Sequence, residues 1–503
     1  MISPSFDDFE RAHAAGAAQV VYRRLVADLD TPVSAMLKIA DGKPNSFLLE
    51  SVEGGDARNR YSIIGLNPDA VWRARGDASE INRKARFDDT AFVPCTGGAL
   101  ASLRAFIEES RIDLPEDLPP MAAGVFGYMG YDMVRLMERL PDENPDALGL
   151  PDGLFVRPTI IAVFDSVKDE VTLVTPVRPE PGVTAKAAYA RAEERLNDIV
   201  ADFDRALTHA PQQLDVDALA EPTSNTPKER YFGMVERAKE YIAAGDIFQV
   251  VLSQRFETPF TLPPFSLYRA LRRINPSPFL YFLDLPGFAL VGSSPEILVR
   301  VRDNELIIRP IAGTRPRGQS RDEDVANEAS LLADPKERAE HLMLLDLGRN
   351  DVGRVAAAGS VTVTDSFTVE RYSHVMHIVS NVVGQLASDK DALDALFAGF
   401  PAGTVSGAPK IRACEIIAEL EPETRGAYAG GVGYFAPDGS LDSCIVLRTA
   451  VVKDGVMHVQ AGAGIVADSD PDYELAECRA KAGALIAAAR EAVRVAGEPG
   501  YGQ

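Results

Sequence analysis

Strand-like and helix-like segments of this chain occur in clusters, and that clustering limits the possible folds more than any other feature. Residues 430–435, 441–453 and 456–461 read as consecutive strands, joined by the turns Pro437-Asp438-Gly439 and Asp454-Gly455. Residues 305–311 add another strand. In the first third, 34–40 and 46–52 flank the turn at 41–45, 61–65 and 70–74 flank Asn67-Pro68-Asp69, and 158–164 pairs in pattern with 170–175. Helical periods cover 99–110, 185–207, 231–244 and 473–495. One more runs from an Asp334 cap to Leu347, with Gly348 as its stop. Strands joined by short turns pair antiparallel, and the strict strand–helix–strand alternation of a parallel sheet is missing. The expected class is α+β with large antiparallel sheets.

With 503 residues the chain is too long for one ordinary core. The proline-punctuated stretch 208–227 lacks an apolar period and marks a boundary, giving regions 1–225 and 226–503. Lys and Arg number 52 and Asp and Glu 74, a net charge of −22 without a basic run, which argues against nucleic acid and anionic membranes as partners. No run of eighteen apolar residues and no signal-like start occur, so a cytoplasmic protein is expected. Cys95, Cys414, Cys444 and Cys478 form no C-x-x-C pair, against a disulfide framework or zinc site.

Two E-x-x-E pairs carry the first chemical signal. Glu337 and Glu340 share one predicted helix face, and Glu474 and Glu477 another. Facing pairs would repel unless a hard cation with oxygen ligands lay between them, and Mg²⁺ fits; each pair alone reads more readily as a solvated helix face. Arg448 interrupts an apolar strand, either as a structural salt bridge or as a clamp for a substrate carboxylate. Gly462-Ala463-Gly464 ends the next strand and lets backbone N–H groups approach a ligand. Three other patterns are decoys. The segment 403–410 lacks Walker spacing, 468–479 lacks the Gly and Glu of a calcium loop, and His374 and His377 have no further zinc ligands at the required spacing.

Longer words are more specific. Residues 310–318 (Pro-Ile-Ala-Gly-Thr-Arg-Pro-Arg-Gly), Glu340 to Leu347 with Arg349-Asn350-Asp351, residues 403–410, and residues 460–466 stand in order. Together they make the chain resemble the chorismate-utilising enzymes, and within them the branch that makes anthranilate. The resemblance implies an α/β/β/α sandwich of face-to-face antiparallel sheets with helices outside. It implies Glu340 and Glu477, with Glu474, as Mg²⁺ ligands. It implies Gly313, Thr314, Tyr428, Arg448, Gly462, Ala463, Gly464 and Lys481 as chorismate contacts, His377 as a catalytic histidine, and Thr404 on the pocket-side loop. The implied reaction adds ammonia at C2 of the ring as the C4 hydroxyl leaves, then expels pyruvate. Glu337 is the expected general acid, and His377 belongs to the elimination.

Two positions separate the branches. Gln249 stands where water-adding relatives carry a lysine base, and Ala312 where aminodeoxychorismate-making relatives often carry a nucleophilic lysine. None of the four cysteines sits in a glutaminase pattern, so a separate glutamine amidotransferase subunit is the implied ammonia source. Residues 47–51 resemble the family's tryptophan-site signature, and 275–278 its partner segment. Glu50, Ser51, Pro278, Phe279 and Leu280 are therefore the expected inhibitor contacts; the bland reading of 48–51 is an ordinary strand end. An aminodeoxychorismate-making enzyme and a catalytically inactive tryptophan-sensing subunit are the alternatives.

Overall fold

The computed structural model describes residues 2–40, 42–51, 60–141, 144–207, 220–372 and 375–498. Among the described residues every strand pairing is antiparallel, and the strands form one hydrogen-bonded network covered by helices. The longest pairing joins Tyr61–Arg75 to Gly153–Asp165, whose strand is buried along its whole length. The last helix, Pro471–Ala496, packs on the strand Val456–Ile465 and the helix Pro264–Ile274, burying one alanine-rich face.

Two seams join the first 225 residues to the remainder. Ser46–Ser51 pairs with Phe279–Leu285, and Val125–Met129 pairs with Gly431–Phe435. One apolar core crosses both seams, with Leu48 and Trp72 in the same cluster as Leu280 and Phe435. Of the boundary stretch, 208–219 lies outside the described residues, and Thr223–Ser224 already pairs with Phe256 and Glu257.

Several segments differ from the sequence expectation. Residues 34–40 are not a strand: 34–39 belong to the helix Pro32–Ile39 and Ala40 caps it. Thr31 and Ser34 form a reciprocal capping box, Pro32 fills the first turn, and Ala35, Met36 and Ile39 make the buried face. Residues 61–65 and 70–74 belong to one strand, kinked by a register shift between Pro68 and Ala70. Gly348 does not stop its helix, which runs Pro335–Gly353. A Cβ on Gly348 would lie 3.1 Å from Pro310 Cγ, so the glycine serves close packing. Residues 441–453 are two strands, Leu441–Ile445 and Thr449–Lys453, broken where Arg448 adopts φ 46°. Gly462 to Gly464 lie inside the strand Val456–Ile465, not at its end.

Candidate active site

The strand Gln249–Pro259 pairs with Val456–Ile465, setting Ser253 opposite Gly462 and Val251 opposite Gly464. A Cβ on Gly464 would lie 2.3 Å from Gln249 Nε2, and one on Gly462 2.9 Å from the Tyr428 hydroxyl. These glycines therefore admit the side chains of Gln249 and Tyr428. Gln249 Nε2 donates to Glu340 Oε1 at 3.3 Å, bringing the helix Pro335–Gly353 to the same place. Lys481 Nζ donates to the Gly462 carbonyl at 2.9 Å and pairs with Glu477 Oε1 at 2.7 Å, which brings in the last helix.

The two E-x-x-E pairs thus meet across one site. Burial raises the Glu340 pKa, the Gln249 contact lowers it, and Glu337 and Glu477 raise it further. Glu474 is buried and pushed up to about 6, first by burial and then, against a Ser469 hydrogen bond, by the charge of Glu477. Carboxylates that disfavour one another's charge, all offering oxygen, match the needs of a hard divalent cation. As they stand, no three acidic, His or Cys side chains of the described residues close on one point.

His377 lies on the strand Val375–Gln385 opposite Thr314. The strand Ile311–Pro316 shifts register between Ala312 and Thr314, where Gly313 has φ 72°. That bulge turns the Gly313 carbonyl onto His377 Nδ1, 3.0 Å away, with Thr314 Oγ1 at 3.1 Å. A carbonyl only accepts, so Nδ1 carries the proton and Nε2 keeps its lone pair. Burial lowers the His377 pKa, which favours the neutral ring. Of the two histidines read in the H-x-x-H pattern, His374 lies outside the described residues.

Arg448 lies close enough to His377 and Tyr372 to act on both electrostatically. Burial lowers its pKa, and it makes no ion pair among the described residues. The structural salt bridge allowed by the sequence is therefore not formed there, and a half-buried guanidinium is left facing a site that can hold an anion.

Sequence reasoning missed Glu296. Its carboxyl is buried beside Thr404, and burial pushes its pKa up to about 8 although the Thr404 hydroxyl lowers it. No well-formed hydrogen bond joins the two groups, so among the described residues Thr404 Oγ1 has no hydrogen-bond partner. Glu296, Thr404, Arg309 and Asp351 line one small cavity. Glu337 is engaged differently, by Arg315 Nη1 at 2.8 Å, while Arg315 also holds Asp334 at 2.7 Å. A signal for Glu296 existed: it is the single carboxylate in the largely apolar run 288–299.

The decoys are accounted for. Residues 403–406 make one helical turn, and Lys410 is committed to a buried pair with Asp351 at 2.8 Å. Asp470 caps the last helix.

A separate cavity is lined by Leu49, Glu50, Phe279, Leu280, Tyr434 and Cys444, among others. Pro278 immediately precedes that strand, and the side chain of Ser51 lies outside the described residues. Glu50 is buried and already accepts hydrogen bonds from Arg272 Nε at 2.7 Å, from Ser62 Oγ at 3.2 Å and from the Tyr268 hydroxyl.

A family model described as chorismate binding enzyme matches residues 45–487. Anthranilate synthase component 1 of Cereibacter sphaeroides is 59% identical over 501 residues, covering 99% of this chain and all of that protein. The Thermus thermophilus protein of the same name is 50% identical, covering 93% and 97%. The crystal structure of anthranilate synthase component I from Streptococcus pneumoniae superposes with TM-score 0.73 at 36% identity, over 86% of this chain and 93% of that one. The menaquinone-specific isochorismate synthase of Escherichia coli shares the fold, with TM-score 0.71 at 19% identity over 96% and 99%.

Proposed function

The chain belongs to the chorismate binding enzyme family and is a chorismate-utilising enzyme, and we propose that it converts chorismate and ammonia to anthranilate and pyruvate, the first step of tryptophan synthesis. The single observation that carries the substrate assignment is Arg448, a half-buried guanidinium with no ion pair among the described residues, in a site that also gathers four glutamates. Chorismate carries two carboxylates. One suits the planar fork of Arg448; the other needs a cation to lie beside Glu340, Glu474 and Glu477.

Mg²⁺ would be held by Glu340 and Glu477 with Glu474, where it supplies positive charge to the ring carboxylate and relieves the repulsion among the glutamates. The chain's own groups do the remainder. Ammonia forms a bond to C2 while the C4–O bond breaks. Hydroxide leaves poorly, so the departing oxygen takes a proton and leaves as water. Glu296 is the better-suited donor, since burial keeps its proton near neutral pH. Glu337, the donor expected from sequence, is tied to Arg315 and is assigned to fixing the Gly313 bulge, where a Cβ would lie 3.1 Å from its Oε2. In the second step the C2 proton leaves to a base, the C3–O bond breaks, and the side chain departs as pyruvate while the ring becomes aromatic. His377 Nε2 has the free lone pair for that proton.

Ammonia would come from a glutamine amidotransferase subunit, consistent with relatives named component 1. Tryptophan would inhibit from the cavity between Glu50 and Phe279. Among the described residues no helix is long and apolar enough to cross a membrane.

The test is the product. Purified protein with chorismate, Mg²⁺ and an ammonium salt should give anthranilate, read by its fluorescence, and glutamine should replace ammonium only when the partner subunit is added. Formation of aminodeoxychorismate, with the hydroxyl replaced by an amine and no pyruvate released, would replace this reading with the aminodeoxychorismate one, and no product at all would leave the inactive sensing subunit.

A further inference from the structure

Arg425 takes no part in the steps above, yet its side chain is 1% exposed. A guanidinium so deeply buried is costly unless its N–H groups are met, and its partners show what it organises. Nε and Nη2 fork onto the Glu421 carboxylate at 3.0 and 2.7 Å. Nη1 donates to the Val405 carbonyl at 2.7 Å, and Nη2 also donates to the Val251 carbonyl at 2.7 Å. The guanidinium carbon lies 5.4 Å from the ring centre of Tyr428 and 4.7 Å from that of Tyr131. Glu421 in turn accepts from the backbone N–H and the hydroxyl of Ser253, at 2.8 and 2.9 Å.

Of these partners, Val405, Val251, Ser253 and Tyr428 adjoin the site. Val405 follows Thr404 in its helical turn. Val251 is in the strand that presents Gln249 and pairs with Gly464, and Ser253 pairs with Gly462. Tyr428 is itself the aromatic neighbour of Gly462. From the far side Tyr131 N–H donates to the Gly426 carbonyl at 2.8 Å, and Gly426 N–H donates to Asp132 at 2.9 Å, bracing the loop that carries Arg425. Three site elements from different parts of the chain thus meet on one rigid planar group.

A buried ion pair by itself is weak evidence of a stabilising role, because apolar replacements are often as stable. The two carbonyl bonds are what an apolar pair would not supply, and they run to two separate site elements. We infer that Arg425, oriented by Glu421, is a positioning residue for the chorismate reaction: it holds the Thr404 turn, the Gln249 strand and Tyr428 in register without touching substrate. This rests on the chorismate reading of the site.

The test compares the unaltered protein with Arg425→Lys and Ser253→Ala. Lysine keeps the charge but loses the fork; alanine removes one hydroxyl from the Glu421 shell and leaves the backbone bond in place. Thermal unfolding, kcat and KM for chorismate are measured, together with hydrogen exchange over 403–408, 426–431 and, as a remote control, 153–165. We expect the chorismate KM to rise about tenfold or more in Arg425→Lys and about threefold in Ser253→Ala. Exchange should quicken at 403–408 and 426–431 and not in the control strand. Unchanged KM and kcat in both variants, or exchange that quickens equally everywhere, would reduce Arg425 to a fold-stabilising ion pair. If Arg425→Lys does not fold, Ser253→Ala decides by the same readouts. If the unaltered protein does not turn over chorismate, that reading fails by itself, and the exchange pattern still decides whether Arg425 holds these elements together.

Discussion

Whether a carboxyl group in this site can donate a proton depends on what surrounds it. Glu296 is buried, with no ion pair among the described residues, and its pKa rises to about 8. Glu337 is paired with Arg315. Glu296→Gln should therefore lower kcat by about 10²–10⁴-fold, the usual worth of a general acid. Glu337→Gln should cost less and act mainly on chorismate KM through the Gly313 bulge. In the unaltered protein kcat should fall as pH rises through about 8, and that limb should be absent from the residual activity of Glu296→Gln. Stability gives an independent check. The folded carboxyl resists ionisation while the unfolded one ionises near 4.5, so unfolding free energy should decline between about 4.5 and about 8 and level off above. The glutamine variant should lack that share of the decline. A variant that keeps full activity at neutral pH would return the acid role to Glu337. The sequence displays Glu296 only as a lone carboxylate in an apolar run. What makes it an acid is desolvation, a tertiary property without a local spacing.

At the scale of elements, the features legible in the sequence are those with a period. Glu337 with Glu340, and Glu474 with Glu477, lie on helices as the three-residue spacing requires, because helix geometry alone puts them on one face. Residues 34–40 show the reverse. Apolar content suggested a strand, and the deciding information was the Thr31–Ser34 cap with Pro32 in the first turn. The break at Arg448 was legible as an oddity in an apolar run, while its left-handed backbone was not, since a non-glycine residue adopts that conformation only where packing imposes it. The two glutamate helices meet through Gln249 and Lys481, so removing one carboxylate from either should act on the same property. Glu340→Gln and Glu477→Gln should each raise the Mg²⁺ concentration for half-maximal activity by about tenfold or more, the cost expected for the loss of one ligand charge. Lys481→Met, which frees Glu477 of its cation, should shift that requirement less. A Mg²⁺ titration curve unmoved by both glutamine variants would leave these residues as helix-face charges.

Across the whole molecule, strand pairing ties the cavity proposed for tryptophan to the groups proposed to act on chorismate. Ser46–Ser51 pairs with Phe279–Leu285, which pairs with Phe288–Ser294, and that strand leads within two residues to Glu296. Phe288–Ser294 also pairs with Thr449–Lys453, directly after Arg448, and Ser293 N–H donates to the Arg448 carbonyl at 3.1 Å. A ligand that wedges against Phe279 and Leu280 would therefore push on the strand next to the one that leads to Glu296 and lies beside Arg448. It can inhibit only through a preference for the arrangement that binds chorismate poorly. Glu50 is held by Arg272, Tyr268 and Ser62, so a ligand ammonium must compete with Arg272 for that carboxylate, and the exchange supplies a discrete second arrangement. Phe279→Ala removes one apolar wall of the cavity and touches no residue assigned to chorismate or Mg²⁺. We expect tryptophan to raise the chorismate KM of the unaltered protein, and Phe279→Ala to need about tenfold more tryptophan for the same inhibition, the loss expected from about 1.4 kcal/mol of buried aromatic contact. Coupling between two sites is reciprocal. Tryptophan binding followed by calorimetry should therefore weaken with saturating chorismate by the same factor that tryptophan imposes on chorismate binding. Equal tryptophan sensitivity in the two proteins, or tryptophan affinity indifferent to chorismate, would separate this cavity from the catalytic groups and leave the Ser46–Ser51 strand as one more rung of the sheet.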